Sequence, residues 1–150
     1  MSSHTYTRMR EIENPETILQ AHGGEEQFAE RRRISLLESD TALRPVLIGI
    51  LLRLGCVVSA RRELAQVIEA LQTGPLDGAI VALEPDHARL AALCTANQHN
   101  VPIVVLLDSA VDPLTASQFP GIHFLQKPFD VRQLLAKLNL PEKATILTER

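Results

Sequence analysis

The stretch "FLQKPFDVRQLLAKL", Phe124–Leu138, decides how the rest of the chain is read. A short apolar run ends on a lysine, Lys127, a proline follows at once, and leucines then recur at Leu134, Leu135 and Leu138. That order fits a buried strand, a tight turn and a helix with one apolar side. A lysine at such a strand end is either an ordinary surface charge or a group aimed into a polar pocket. The ends of the other strands show what it would face.

Working back from it, apolar runs recur roughly every 20 residues: "ISLL" at 34–37, "CVVSA" at 56–60, "GAIVAL" at 78–83, "PIVVLL" at 102–107 and "IHFL" at 122–125. The segments between carry helical spacing, as in Leu64, Val67, Ile68 and Leu71, or helical composition, as in "HARLAALCTAN" at 87–97. Strands separated by helix-length connections pair in parallel, with helices on both sheet faces. Near-continuous apolar runs, rather than alternating ones, suit strands buried on both sides. The expected domain is a five-stranded α/β unit over 33–140. Before it, residues 1–32 form an N-terminal extension, partly helical or flexible: Pro15 opens a helix through Leu19 or Gln20, and Gly23 and Gly24 interrupt it. A loosely held tail, 141–150, follows.

Composition narrows the function. The chain has 150 residues, 45% hydrophobic and 22% charged, enough for one domain with a real core. A net charge of −3 attracts neither nucleic acid nor an anionic membrane, and the scarce aromatics (no Trp, one Tyr, four Phe) offer no base-stacking surface. The triple arginine Arg31–Arg33 reads as a solvated charge run. No apolar run reaches membrane-spanning length and the N-terminus lacks a secretion-signal core, which points to a cytoplasmic protein. Cys56 and Cys94 lack metal-motif spacing and read as small buried residues with reduced thiols. The five histidines, at 4, 22, 87, 99 and 123, are not placed with a nucleophile at a strand end, and Ser39 and Ser109 lack a positioned base. The expectation is no catalytic residues, no enzyme activity, no metal and no cofactor.

In open parallel sheets functional groups gather beyond the carboxyl ends of the strands. Here those ends deliver Glu38, Ser39 and Asp40, then Ala82, Leu83 and Glu84, then Leu107, Asp108 and Ser109, and last Lys127. With "ISLLESDTALR", "LDGAIVAL", "VPIVVLL" and "FLQKPFDVRQLLAKL" in this order and spacing, the chain resembles the receiver domain of bacterial two-component response regulators (CheY-like) over 33–140. The resemblance implies a flavodoxin-like, doubly wound five-stranded parallel sheet of order 2-1-3-4-5 and a cis Lys127–Pro128 peptide. It also implies a Mg²⁺-binding acid pair after the first strand, a phosphoacceptor aspartate ending the third, a hydroxyl ending the fourth, an aromatic switch residue in the fifth and the lysine of the Lys-Pro turn.

Carried over by position, most of that machinery is absent. Five residues beyond Asp77 the phosphoacceptor position falls on Ala82, the acid pair on Glu38 and Ser39, the hydroxyl on Leu107 and the aromatic switch on Phe124. Lys127 remains. Its simplest role is a structural salt bridge, with Glu38, Asp40, Glu84 and Asp108 available as partners. Prolines 113 and 120 confine the helix before the last strand to about Leu114–Phe119. In the first domain helix, "TALRPVLIGILLRLG", Leu43, Leu47, Ile50 and Leu54 form the core stripe, leaving Ile48 and Leu52 on the other side as partner-contact candidates. The expected function is a stand-alone pseudo-receiver acting through phosphorylation-independent contacts with a protein partner: a histidine kinase, a phosphotransfer protein, another regulator, or a second copy in a homodimer. The alternative is a small-molecule or nucleotide sensor using the vacated pocket, although no Gly-rich phosphate loop supports a nucleotide.

Overall fold

The protein is described by a computed structural model covering residues 17–20 and 31–141. Its strands are β1 (Thr17–Gln20), β2 (Arg33–Leu37), β3 (Val57–Arg61), β4 (Gly78–Ala82), β5 (Ile103–Leu107) and β6 (Ile122–Gln126). The helices are α1 (Leu43–Arg53), α2 (Leu64–Thr73), α3 (His87–Ala96), α4 (Pro113–Gln118) and α5 (Val131–Lys137). One sheet runs in the order β1-β3-β2-β4-β5-β6. The five strands of 33–140 are all parallel to one another, in the 2-1-3-4-5 order of a flavodoxin-like fold. The Lys127–Pro128 bond is cis, as is Gly74–Pro75.

Strands β3, β4 and β5 have no exposed position, β6 exposes His123 and Gln126, and alternation along the parallel strands sorts two cores. Ile34, Leu36, Val58, Ile80, Val104 and Leu106 pack with Leu47 and Leu51 of α1 and with Leu134 and Leu135 of α5. On the other face Ala79, Val81, Ile103, Val105 and Leu107 pack with Val67 and Leu71 of α2 and with Leu90 and Leu93 of α3. Truncating any of these fully buried leucines to alanine removes both transfer energy and packing, roughly 2–5 kcal/mol each. No helix among the described residues is long and apolar enough to cross a membrane.

Three expectations need correcting, the first being Cys94, which lies exposed on α3 where a buried thiol was expected, because only Leu90, Leu93 and Ala96 of that helix turn into the core. Thr17–Gln20 is a strand, antiparallel to β3, and not the end of a helix opened by Pro15. The β-branched pair Thr17–Ile18 favours the extended backbone, and β3 would otherwise leave a sheet edge unpaired. Helical propensity was a weak prior beside that ladder. Residues 1–16 and 21–30 of the extension, including Gly23 and Gly24, and the tail after Pro141 lie outside the described residues. In α1 the buried residues are Leu47 and Leu51, so the core stripe is rotated from the one read off the sequence. Ile48 and Leu52 are partly buried and pack on the core cluster, as do Leu43, Ile50 and Leu54. The exposed aliphatic of this helix is Val46, at 52%.

Cap residues set several helix starts. Asp86 accepts from the Arg89 amide at 2.8 Å to begin α3, and Asp130 from the Arg132 amide at 2.8 Å to begin α5. Pro113 opens α4 behind Asp112, and the element runs for six residues, as the flanking prolines require.

Candidate functional site

Four chain segments meet beyond the carboxyl ends of β2, β4, β5 and β6 in a pocket of about 190 Å³. Glu38 and Ser39 come from β2, Ala82 and Glu84 from β4, Leu107 and Asp108 from β5, and Lys127 from β6. The placement of Lys127 starts with its backbone: its N–H donates to the Leu107 carbonyl at 2.8 Å, extending the β5–β6 ladder by one bond. The cis proline then turns the chain toward α5.

Glu38 is 3% exposed. Its Oε2 accepts from the Lys127 ammonium at 3.2 Å and from the Asp40 amide at 3.0 Å. Oε1 is 3.0 Å from the same ammonium but off its hydrogen-bonding direction, and it has no donor among the described residues. The contact at Oε1 is therefore Coulombic, and Oε2 carries the directed bonds. The Lys127 side chain is one-fifth exposed, which leaves the ammonium wet on one side and limits its desolvation. Asp108, 3.9 Å away and almost fully exposed, adds a screened attraction of little weight.

Of the other sequence-derived candidates, Asp40 does not line the pocket. Its carboxylate accepts from the amides of Ala42 and Leu43 at 2.8 and 3.2 Å and shapes the turn into α1. Those amides hold its carboxyl below the usual carboxylate range. Ser39 and Glu84 lie on the exposed rim. Ala82 is half-buried at the end of β4, and Leu107 is 2% exposed. Phe124 is half-buried against the core of the α2–α3 side.

These residues do not fit a divalent cation. The buried carboxylate is already paired with an ammonium, its neighbours Ser39 and Ala82 bring no second buried anion, and Asp40 is held by backbone amides. Mg²⁺ needs oxygen ligands in octahedral geometry, usually with carboxylate charge. Among the described residues no group of three or more His, Cys, Asp or Glu is arranged to hold a metal ion.

With the geometry in place, the chain can be set beside known proteins. No family model matches it, and no curated protein matches it in sequence. Solved structures do. A response regulator receiver protein from Sinorhizobium medicae superposes with a TM-score of 0.60 at 23% identity, covering 79% of this chain and 97% of that one. A CheY-like receiver domain from Methanospirillum hungatei gives 0.61 at 19% identity, with 80% and 98% covered. The receiver domain of Ssk1 from Saccharomyces cerevisiae, solved with the histidine phosphotransfer protein Ypd1, gives 0.59 at 15% identity, with 73% and 87% covered. The fold is that of receiver domains.

Sequence reasoning passed over one polar feature of this fold. Arg61, at the end of β3, is buried, and its Nε donates to the fully buried Ser35 hydroxyl of β2 at 3.2 Å. Ser35 breaks the apolar run "ISLL", and that break was the available signal. The triple arginine also has a structural use, since Arg32 donates to the Asn139 carbonyl at 3.0 Å and ties the entry of β2 to the end of α5.

Proposed function

We propose that this chain is a pseudo-receiver, a signalling module of two-component type that works through protein contacts without being phosphorylated. The observation that carries the reading is Ala82, half-buried at the end of β4 on the pocket wall, where receivers end the equivalent strand in an acceptor aspartate. A methyl group cannot take a phosphoryl group. Two further features support it: Leu107 replaces the hydroxyl, and the Lys127 ammonium is engaged by Glu38, so the pocket holds its own counter-charge. The partner class is a protein of the same signalling chemistry: a histidine kinase, a phosphotransfer protein of the kind solved with Ssk1, or another regulator. Intact-mass measurement after incubation with acetyl phosphate and Mg²⁺ tests the proposal. An unchanged mass is expected. A phosphate adduct mapped to Glu84 or Asp108 would mean that the chemistry had moved to a neighbouring carboxylate, and the reading would fall.

A further inference from the structure

Alternation along β2 and β3 makes one corner of the sheet unlike the rest of its face. Ile34, Leu36 and Val58 join the core under α1 and α5, so Arg33, Ser35, Ser59 and Arg61 stand on the opposite face, the one that α2 covers. On β4 and β5 that same face is apolar, with Ala79, Val81, Ile103, Val105 and Leu107. Helix α2 answers the polar corner in kind. Gln66, Glu69, Ala70 and Thr73 recur at helical spacing beside Val67 and Leu71, which enter the core. Ala70 on the helix and Ser59 on the sheet are both small, and the cavity they line with Arg33 and Arg61 holds about 260 Å³.

The wall of this cavity is rich in donors. Arg33 and Arg61 start about 14 Å apart, four residues along and one strand across, with Ser59 midway. The Arg61 Nε donates to the buried Ser35 hydroxyl at 3.2 Å, which turns that guanidinium back along the sheet toward the Ser35–Ser59 rung and keeps its charge inside the wall. Gln66 Oε1 accepts from the Arg62 and Glu63 amides at 2.7 and 3.0 Å, so the side chain is fixed and its NH2 is the end left to donate. Among the described residues that NH2, the half-buried Ser59 hydroxyl and the Arg33 guanidinium meet no acceptor. Glu69, the one carboxylate on the wall, is exposed. Apolar residues at 35 and 59 would close such a corner by packing alone, at no cost in buried polar groups. Donors gathered around open space suit a bound acceptor.

We propose that this cavity binds a small oxyanion, the carboxylate or phosphate group of a small molecule. The Arg33 guanidinium, the Ser59 hydroxyl and the Gln66 NH2 hold its oxygens in the field of the buried Arg61. A planar guanidinium matches two oxygens of either group. The cavity shares no lining residue with the Lys127 pocket, so its test does not depend on whether the chain is phosphorylated.

The experiment is two-dimensional NMR of the full chain, titrated with inorganic phosphate and separately with malonate, against sodium chloride of equal ionic strength. At least one of the two anions should give saturable shifts of the Ser59, Ala60 and Arg61 amides and of the Gln66 side-chain amide, and chloride should give none. A response to phosphate alone narrows the ligand to phosphates; a response to malonate alone narrows it to carboxylates. Arg33→Gln, at an exposed position, should weaken binding at least roughly tenfold, as loss of a charge-assisted contact does. Ser59→Val fills the cavity and should abolish binding, whereas Glu69→Gln removes a repelling charge and should tighten it. Arg53→Gln is the control, since Arg53 is an exposed arginine of α1 on the other side of the sheet, and it should change nothing. Silence at Ser59 and Gln66 with both anions would overturn the site. Equal weakening by Arg33→Gln and Arg53→Gln would overturn it too, leaving general attraction to a solvated charge run.

Discussion

Lys127 and Glu38, 89 residues apart in sequence, meet at 3.0 Å across the end of the sheet, one wet on one side and the other almost wholly buried. The asymmetry sets what each mutation does. Lys127→Met strands a buried carboxylate and should lower unfolding free energy by on the order of 2 kcal/mol. Glu38→Gln leaves an ammonium that can turn to solvent and should lower it by less. The double mutant should be more stable than the sum of the single changes predicts, as measured by urea denaturation of all four proteins. Additive effects would mean that the pair is a contact without energetic coupling.

Restoring the acceptor alone should not restore receiver chemistry. In an Ala82→Asp variant the new carboxylate would sit in the pocket with Glu38 and near Glu84 and Asp108, with Ser39 still in place of a second acid and Leu107 in place of a hydroxyl. The expected result is no detectable phosphate adduct from acetyl phosphate and Mg²⁺, and no spectral response to beryllofluoride. Like-charge crowding around Lys127 predicts a modest loss of stability that salt reduces. Efficient phosphorylation of this variant would show that Ala82 is the sole lesion in the pocket.

The two thiols should separate cleanly. Cys56 is 1% exposed and burial pushes its thiol up to about 11, whereas Cys94 is exposed on α3. A thiolate-selective reagent should label one thiol per folded chain quickly, Cys94→Ser should abolish that phase, and Cys56 should react only on unfolding. The fast rate should rise with pH, because partial burial also raises the Cys94 thiol. Rapid labelling of Cys56 in the native protein would contradict the packing around Leu51 and Val58.

How much of this was legible in the sequence follows from the type of signal. The parallel strands were readable because runs such as "PIVVLL" are apolar without alternation, the mark of burial on both faces. Lys127 was readable because a lysine-proline step after a buried strand has few uses. Its partner Glu38 was readable from position, whereas the roles of the other acids at that end of the sheet were not, and only geometry assigns Asp40 to the amides of Ala42 and Leu43. Strand β1 was missed because four residues behind Pro15 carry both helical and extended signals, and a neighbouring sheet edge decides between them. The α1 stripe was displaced because the helix is aliphatic on nearly every side, which blurs its periodicity.

That last error changes the surface experiment on α1. Ile48→Glu and Leu52→Glu, chosen from spacing as harmless surface changes, would place carboxylates against the core cluster. Each should cost on the order of 2 kcal/mol. The probe of a contact surface is Val46→Glu: Val46 is 52% exposed, and its replacement should shift stability by less than about 0.5 kcal/mol. Pull-down from lysate with wild type and Val46→Glu, beside melting curves for all three variants, gives the comparison. If α1 docks a protein, Val46→Glu should melt with wild type and lose the captured partner, because a charge forced into an apolar contact must be desolvated. Retention of every captured protein by Val46→Glu would move the docking surface off α1. Wild-type melting of the Ile48→Glu and Leu52→Glu chains would put both side chains outside the core after all.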